Sequence, residues 1–425
     1  MDTIKRYDFV IVGSGAGGAT LAKELCQDGR QVLVIERGKL FEKELGHHLK
    51  AVGFYKPDFP LKSKEGIIIW RTFMAGGSTN VSIGNGMRAA GKMLAEYGID
   101  LGAEFAEAEE ELAIQNSGLL VSGEAKKIQA AGKESGYEFK AAPKFIKPDK
   151  CQRCGECMVG CKFGAKWSAV DYLRQAQKNG AEVLYNTKVK KVVIKNGKAV
   201  GVIAAQKNKE MEIAANTVII AAGGLETPQI LRRSGIKNAG ENLFLDLFIN
   251  TYGREKSRKL YAGTPMSIYY QSDAGFIISP YGYKKSPFMR FMESGLKGLS
   301  LKSAGLMSIM TKIADDNIGG ILPDGKISKT VTGNDAKKLN AGYEISKELL
   351  LKAGAGEKSI IRTNIQGAHP GGTAAIGKVV NKDLQTEADN LFICDASIFP
   401  AALGMPPILT IVALAKRLSK ALILC

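Results

Sequence analysis

Residues 7–36 read YDFVIVGSGAGGATLAKELCQDGRQVLVIE, and this stretch decides the fold. Residues 7–12 form a short apolar strand that runs straight into Gly13-Ser14-Gly15-Ala16-Gly17-Gly18, and residues 19–28 have helical composition. The first glycine permits a tight turn, and Gly15 and Gly17 keep the loop open to a pyrophosphate. Gly18 lets helix and strand pack closely, and the amides at the helix start suit an anion. A second strand over 31–35 ends at Glu36, about twenty residues on, where a carboxylate can accept ribose hydroxyls. Glu36 and the adjoining Arg37 are therefore candidate cofactor contacts. Strand, glycine turn, helix and acid-terminated strand together define an α/β, Rossmann-like dinucleotide-binding domain. The motif alone does not choose between NAD and FAD.

At 425 residues the chain exceeds the size at which one hydrophobic core stops growing, so two domains are expected. Hydrophobic residues at 45% and charged residues at 24% are ordinary for a globular protein and argue against extensive disorder. The formal charge of +17 implies attraction to something anionic. The lysines are scattered and not interleaved with aromatics, and no nucleic-acid module is readable, so nucleic acid is not expected. An acidic redox protein or an anionic membrane surface fits better, unless the charge is only a solvated face. No signal core or spanning apolar run is visible, which leads to an expectation of a cytoplasmic protein with peripheral membrane contact as an option.

A second glycine-rich stretch covers 74–88, MAGGSTNVSIGNGMR. Gly76-Gly77-Ser78 and Asn85-Gly86-Met87 offer little side chain to pack and suit a backbone cradle for a cofactor. Three further blocks stand at 221–236 (AAGGLETPQILRRSGI), 390–400 (NLFICDASIFP) and 404–415 (GMPPILTIVALA). With these the sequence resembles the glucose-methanol-choline (GMC) family of flavoprotein oxidoreductases, nearest its long-chain alcohol and sterol oxidising branch. The matching blocks span nearly the whole chain. The resemblance implies FAD as cofactor, contacts from Asp395 and Ala396 after the closing strand, and a last helix whose start, at Pro407, faces the flavin ring. It also implies that Val189, in a strand over 181–193, lies near the adenine, and that Thr227-Pro228-Gln229 starts a helix.

Of three histidines, His47 and His48 sit in a polar segment and read as surface residues. His369, in QGAHPGGTAAIG at 366–377, resembles the family's histidine block before the closing strand. Oxidising a carbinol requires loss of the hydroxyl proton as hydride passes to flavin, and an imidazole is suited to take it. His369 is the candidate catalytic base. The family's second His or Asn falls at Pro406, which has no side-chain donor or acceptor. Asn80, Asn85 and Tyr270 are candidates to replace it. This departure leaves room for a carbonyl or alkene reductase.

Residues 150–162 read KCQRCGECMVGCK, with Cys151, Cys154, Cys157 and Cys161 spaced x2, x2 and x3. Such spacing is that of ferredoxin-type ligation of a [4Fe-4S] or [3Fe-4S] cluster. Zinc is a poorer match, unligated thiols remain an alternative, and Lys162 replaces the proline that follows the fourth cysteine in bacterial ferredoxins. Cys26, Cys394 and Cys425 are isolated and read as inert.

The FAD-binding domain is expected to be discontinuous, over 1–120, 165–242 and 370–425, with a cysteine loop at 140–164 and a smaller antiparallel-sheet substrate domain at 243–369. In the latter, MSIYYQ (266–271) and SIMTKIA (308–314) suggest strands walling the flavin. Residues 284–312 mix Phe, Met and Leu with lysines, the composition of a membrane interface, a greasy mouth, or an ordinary cap helix and core strand. The leading expectation is an FAD dehydrogenase that oxidises an apolar alcohol and passes electrons through an iron-sulfur cluster to an acidic carrier such as ferredoxin, or to quinone. The alternatives are a flavin and iron-sulfur reductase, and a non-catalytic electron-transfer flavoprotein.

Overall fold

The computed structural model describes residues 6–121, 123–207, 209–256, 263–283 and 285–424. Cys425 and Lys284 therefore lie outside the described residues. Strand β1 (Arg6–Val12) and strand β2 (Val32–Ile35) pair in parallel, with helix α1 (Ala16–Gln27) as their crossover. The parallel sheet continues through Lys209–Ile220 to Leu391–Ile393 on one side of β1 and to Glu182–Leu184 beyond β2. Every residue of β2 and the last four of β1 are buried, as a sheet covered on both faces requires. Helix α1 packs on the last helix, Ile408–Ile423, and on Ala169–Lys178.

The single strand expected over 181–193 is two strands. Glu182–Leu184 runs parallel to β2, and Thr187–Lys195 runs antiparallel to Lys198–Gln206. Between them Asn186 has φ of 52°, a left-handed turn that asparagine tolerates and that reverses the chain.

The second sheet runs Ile68–Ile69, Gln366–Gly367, Leu247–Arg254, Leu306–Ile313, Phe276–Pro280, Ile268–Ser272 and Lys140–Ala141 in spatial order. Its longest strands are antiparallel, and it recruits short strands from 68–69 and 140–141 as well as from the region beyond 243. Along Leu306–Ile313 the two-residue period assigns faces. Met307, Ile309 and Ile313 join the core beneath helix Gly333–Lys352, while Met310 and Lys312 line a cleft between the sheets. Both faces are covered, so all eight residues of this strand are buried, lysine included. The segment read as basic and amphipathic forms two short helices, Pro287–Ser294 and Leu296–Ser300, and then this strand.

A fully buried ion pair joins Lys329 Nζ to Asp315 at 2.8 Å, just past the end of strand Leu306–Ile313. Asp315 also accepts from the amides of Leu245 and Leu247. Removing the cation leaves a buried carboxylate uncompensated. Lys329→Met should therefore lower stability by about 3–5 kcal/mol, read as the shift in a urea unfolding curve. A loss within error of zero would show that water reaches the pair.

Candidate active site

One cleft of about 350 Å³ runs between the glycine turn and the second sheet. Its nucleotide end is built on the start of α1. The cap position is Gly15, with no capping side chain and no acid in the first turn, so the first-turn amides are left for an anion. A Cβ added at Gly15 would meet nothing within 4 Å, because the position opens on the cleft. At Gly17, also lining the cleft, a Cβ would fall 1.9 Å from the Cys394 carbonyl oxygen. The two glycines thus serve ligand approach and packing respectively.

Gly13, Gly77, Ser78, Asn85, Glu36, Arg37, Val189, Asp395, Ala396 and Pro407 all line the same cleft. Gly18, Gly76 and Gly86 do not. Gly18 lies under the turn against the Gly13 carbonyl, and a side chain at Gly86 would strike Ile114. Gly76 is instead a left-handed residue whose amide donates to Ser14 Oγ at 3.0 Å. Their missing side chains reflect packing and turn geometry.

Glu36 Oε2 accepts from the Ser14 amide at 3.0 Å and its hydroxyl at 2.6 Å, while Oε1 accepts from the Gly38 amide at 2.7 Å. Burial pushes the Glu36 carboxyl above its ordinary range, against these bonds and Arg37. Nearby, Arg37 and Arg71 flank the Phe73 ring at 4.3 and 4.4 Å and both pair with Glu226. Arg71 and Glu226 had no sequence signal of their own. Asp395 ties the far wall, accepting from the amides of Gly223 and Ser397 and from Thr227 Oγ1 at 2.6 Å. Open glycine, uncapped helix and buried acid fit a flavin dinucleotide, with the pyrophosphate at α1 and the ribose near Glu36.

The opposite end is apolar and aromatic, lined by Tyr55, Trp70, Phe248, Met266, Tyr281 and Met310. Trp70 is oriented by its indole N–H donating to Gln366 Oε1 at 2.7 Å. Gln366 in turn donates to Glu293, which also accepts from Tyr252 and Asn250. Burial pushes Glu293 up to about 7.

His369 lines this end with Pro406, and its Nδ1 lies 2.9 Å from Asp246 Oδ2. Asp246 is fully buried and also accepts from the Gly404 amide at 2.9 Å. With Nδ1–H donated to the carboxylate, Nε2 carries the free lone pair. Burial and the Lys312 ammonium push the imidazole below its ordinary pKa of 6.5, against the pull of Asp246, which favours the neutral base. Neither Asp246 nor Lys312 was anticipated from sequence, since an aspartate in a loop and a lysine in a strand read as solvated.

The substitutes considered for Pro406 fare unequally. Tyr270 packs on Tyr137 and Phe139, and Asn80 spends its amide on the Ala75 and Gly77 carbonyls; neither lines the cleft. Asn85 does, but its carbonyl accepts from Lys144 Nζ. His48, expected at the surface, is partly buried with its Nε2 against the Glu156 carboxylate, whereas His47 is exposed.

Cys151, Cys154, Cys157 and Cys161 line one small cavity with Lys166 and Thr264. Among the described residues, however, no three His, Cys, Asp or Glu side chains are placed to hold a metal ion. The expected ligand set is not assembled. Cys151, Cys157 and Cys161 pack against Ile146 and Ala165. Burial pushes the Cys157 thiol up to about 12, against Lys166 and Lys144. Cys26 and Cys394 are buried single thiols.

Nucleotide cradle, aromatic cleft and histidine with carboxylate define a flavin-dependent oxidoreductase. Sequence comparison agrees: the GMC oxidoreductase description matches residues 7–248 and again 325–415. The chain belongs to the GMC oxidoreductase family, with FAD as its cofactor. It is 33% identical over 415 residues to an uncharacterized protein of Methanocaldococcus jannaschii, covering 97% of this chain and 98% of that one. It is 24% identical over 508 residues to a long-chain-alcohol oxidase of Arabidopsis thaliana, covering 98% of this chain and 67% of the relative. A pyridoxine 4-oxidase from Mesorbium loti shares the fold at a TM-score of 0.73 and 18% identity, covering 98% of this chain and 99% of that one. An Aspergillus oryzae formate oxidase variant studied for FAD modification does so at 0.76 and 15%, covering 98% of each.

Gly15 and Gly17 separate binding from folding. Gly15→Val should fold and melt like the parent yet purify without flavin, read as the ratio of absorbance near ~450 nm to protein. Gly17→Val should fail to fold. Flavin at full occupancy in the Gly15 variant would place the pyrophosphate elsewhere.

Proposed function

We propose that this protein is an FAD-dependent dehydrogenase of an apolar alcohol, with His369 as the base. The observation that carries the reading is the His369–Asp246 pair opening into an aromatic cleft continuous with the nucleotide cradle. Bound FAD supplies a two-electron acceptor for hydride. The chain's own part is to hold the carbinol against Tyr55, Trp70, Phe248 and Met310, keep water out, and take the hydroxyl proton at His369 Nε2. Asp246 fixes the tautomer and stabilises the imidazolium that forms. The long-chain-alcohol oxidase relatives support an apolar alcohol. Electron transfer to an acidic carrier or to quinone, in place of oxygen, rests on the charge of +17 and on the cysteine spacing. Exposed Phe288, Phe291, Leu296 and Leu299 beside Lys297 support contact with a membrane surface. No helix among the described residues is long and apolar enough to cross one.

His369→Ala should slow anaerobic flavin reduction by an apolar alcohol by roughly 10²- to 10⁴-fold with FAD retained. In the parent enzyme the rate should be flat at neutral pH and fall on acidification past a midpoint below 6.5, where the imidazole takes a proton before substrate arrives. A His369→Ala enzyme as fast as the parent would favour the alkene-reductase or electron-carrier reading.

The iron-sulfur reading of the cysteine loop rests on spacing and on the shared cavity. Protein prepared without oxygen should contain iron with acid-labile sulfide, and Cys154→Ser should deplete both. Iron-free protein carrying stoichiometric zinc, or no metal, would retire the cluster. Rapid oxygen consumption during alcohol turnover would make the enzyme an oxidase.

A further inference from the structure

Lys312 stands at 2% exposure on the cleft face of its strand, opposite Phe248, and its ammonium has no hydrogen-bond partner among the described residues. A buried ammonium without hydrogen-bond acceptors has lost its hydration and regained only part of it electrostatically, unless a ligand provides an acceptor. Its counter-charge is Asp246 Oδ2, at 3.9 Å too distant for a hydrogen bond and already engaged by His369 Nδ1. The other Asp246 oxygen accepts from Gly404. Ammonium and imidazole thus lie within 4 Å of one carboxylate oxygen, and both line the cleft with Pro406, which can donate nothing.

We propose that Lys312 forms an oxyanion subsite, donating from its ammonium to the reacting oxygen of the substrate and so supplying the second contact that Pro406 lacks. The inference rests on the reading of the cleft as an alcohol-oxidising site. In that reaction the carbinol C–H bond breaks and its electron pair leaves as hydride to the bound flavin. The O–H bond breaks, its proton passes to His369 Nε2, and a C=O bond forms. Negative charge grows on the oxygen as its proton departs, and a fixed ammonium stabilises it there without giving up a proton of its own. The subsite selects substrates that carry oxygen on the reacting carbon, and disfavours plain alkenes.

Decanoate, an oxyanion on an apolar chain, probes the subsite without turnover. Flavin-loaded protein should bind it in calorimetry at pH 6.5. Burial lowers the Lys312 ammonium to about 8 against the pull of Asp246, so binding should weaken as pH rises through that value. The charged groups facing Lys312 are Asp246 and His369, with the Asp315–Lys329 pair behind Asp246. His369 takes up its proton at lower pH, so it does not produce that limb. Lys312→Met should bind decanoate about tenfold or more weakly, the loss expected for a charge-assisted bond. Lys312→Arg should restore binding and carry the alkaline limb upward, which a merely structural lysine would not do. Absence of decanoate binding by the parent, equal binding by Lys312→Met, or a limb unmoved by arginine would each overturn the proposal. Should the Met variant not fold, the parent's pH profile and the arginine variant decide. Decanoate binding needs no turnover, so measuring it separately from anaerobic flavin reduction by an alcohol tells failure of the subsite apart from failure of the alcohol-oxidising reading.

Discussion

Backbone touches backbone where β1 ends, and the rest of the molecule is arranged around that contact. A Cβ at Gly13 would lie 2.4 Å from the Ala221 carbonyl oxygen, one at Gly17 1.9 Å from that of Cys394, and one at Gly18 2.0 Å from that of Gly13. These approaches bring three parallel strand ends and the start of α1 to one place, which only glycine permits. The carboxyl ends of β1, Lys209–Ile220 and Leu391–Ile393 then open on a common crevice. Asp395, directly after the last of these, binds Gly223, Thr227 and Ser397 and keeps the crevice from spreading.

Charges in and near the cleft are held by close partners brought together by the fold. Glu226 meets Arg37 and Arg71, and Asp315 meets Lys329. Charges removed from water need partners at close range. Asp246 differs in facing two cations-to-be, His369 and Lys312, of which only the first is hydrogen-bonded to it. That unequal sharing leaves the imidazole oriented and the ammonium available.

Two further buried lysines shape the loop that closes the cleft. Lys166 donates to the carbonyls of Thr79 and Asn80, and Lys144 to that of Ile83 and to Asn85. Both interact electrostatically with Cys157, so the cysteine loop and the loop over the cleft share the same cations. The cysteine loop also reaches the aromatic wall through Tyr283, which shares a small cavity with Cys154 and Glu156.

The amino-acid order by itself determined the dinucleotide unit, because a glycine turn, its helix and the acid at Glu36 are neighbours along the chain. It also singled out His369 and the vacancy at Pro406, since both stand in blocks readable without the rest of the fold. What only the tertiary structure decided are contacts between residues far apart in sequence. Asp246 lies 123 residues from His369 and carries no motif. Lys312 reads as the polar position of a half-exposed strand, and becomes a buried cation only because helix Gly333–Lys352 covers one face and the cleft closes the other. Gly86 reads as part of a cradle but faces Ile114. The cysteine spacing is a statement about chain reach, whereas ligation is a matter of side-chain direction, which packing sets. Local pattern specifies backbone turns and periodicity, while burial and charge pairing depend on which distant elements cover a residue.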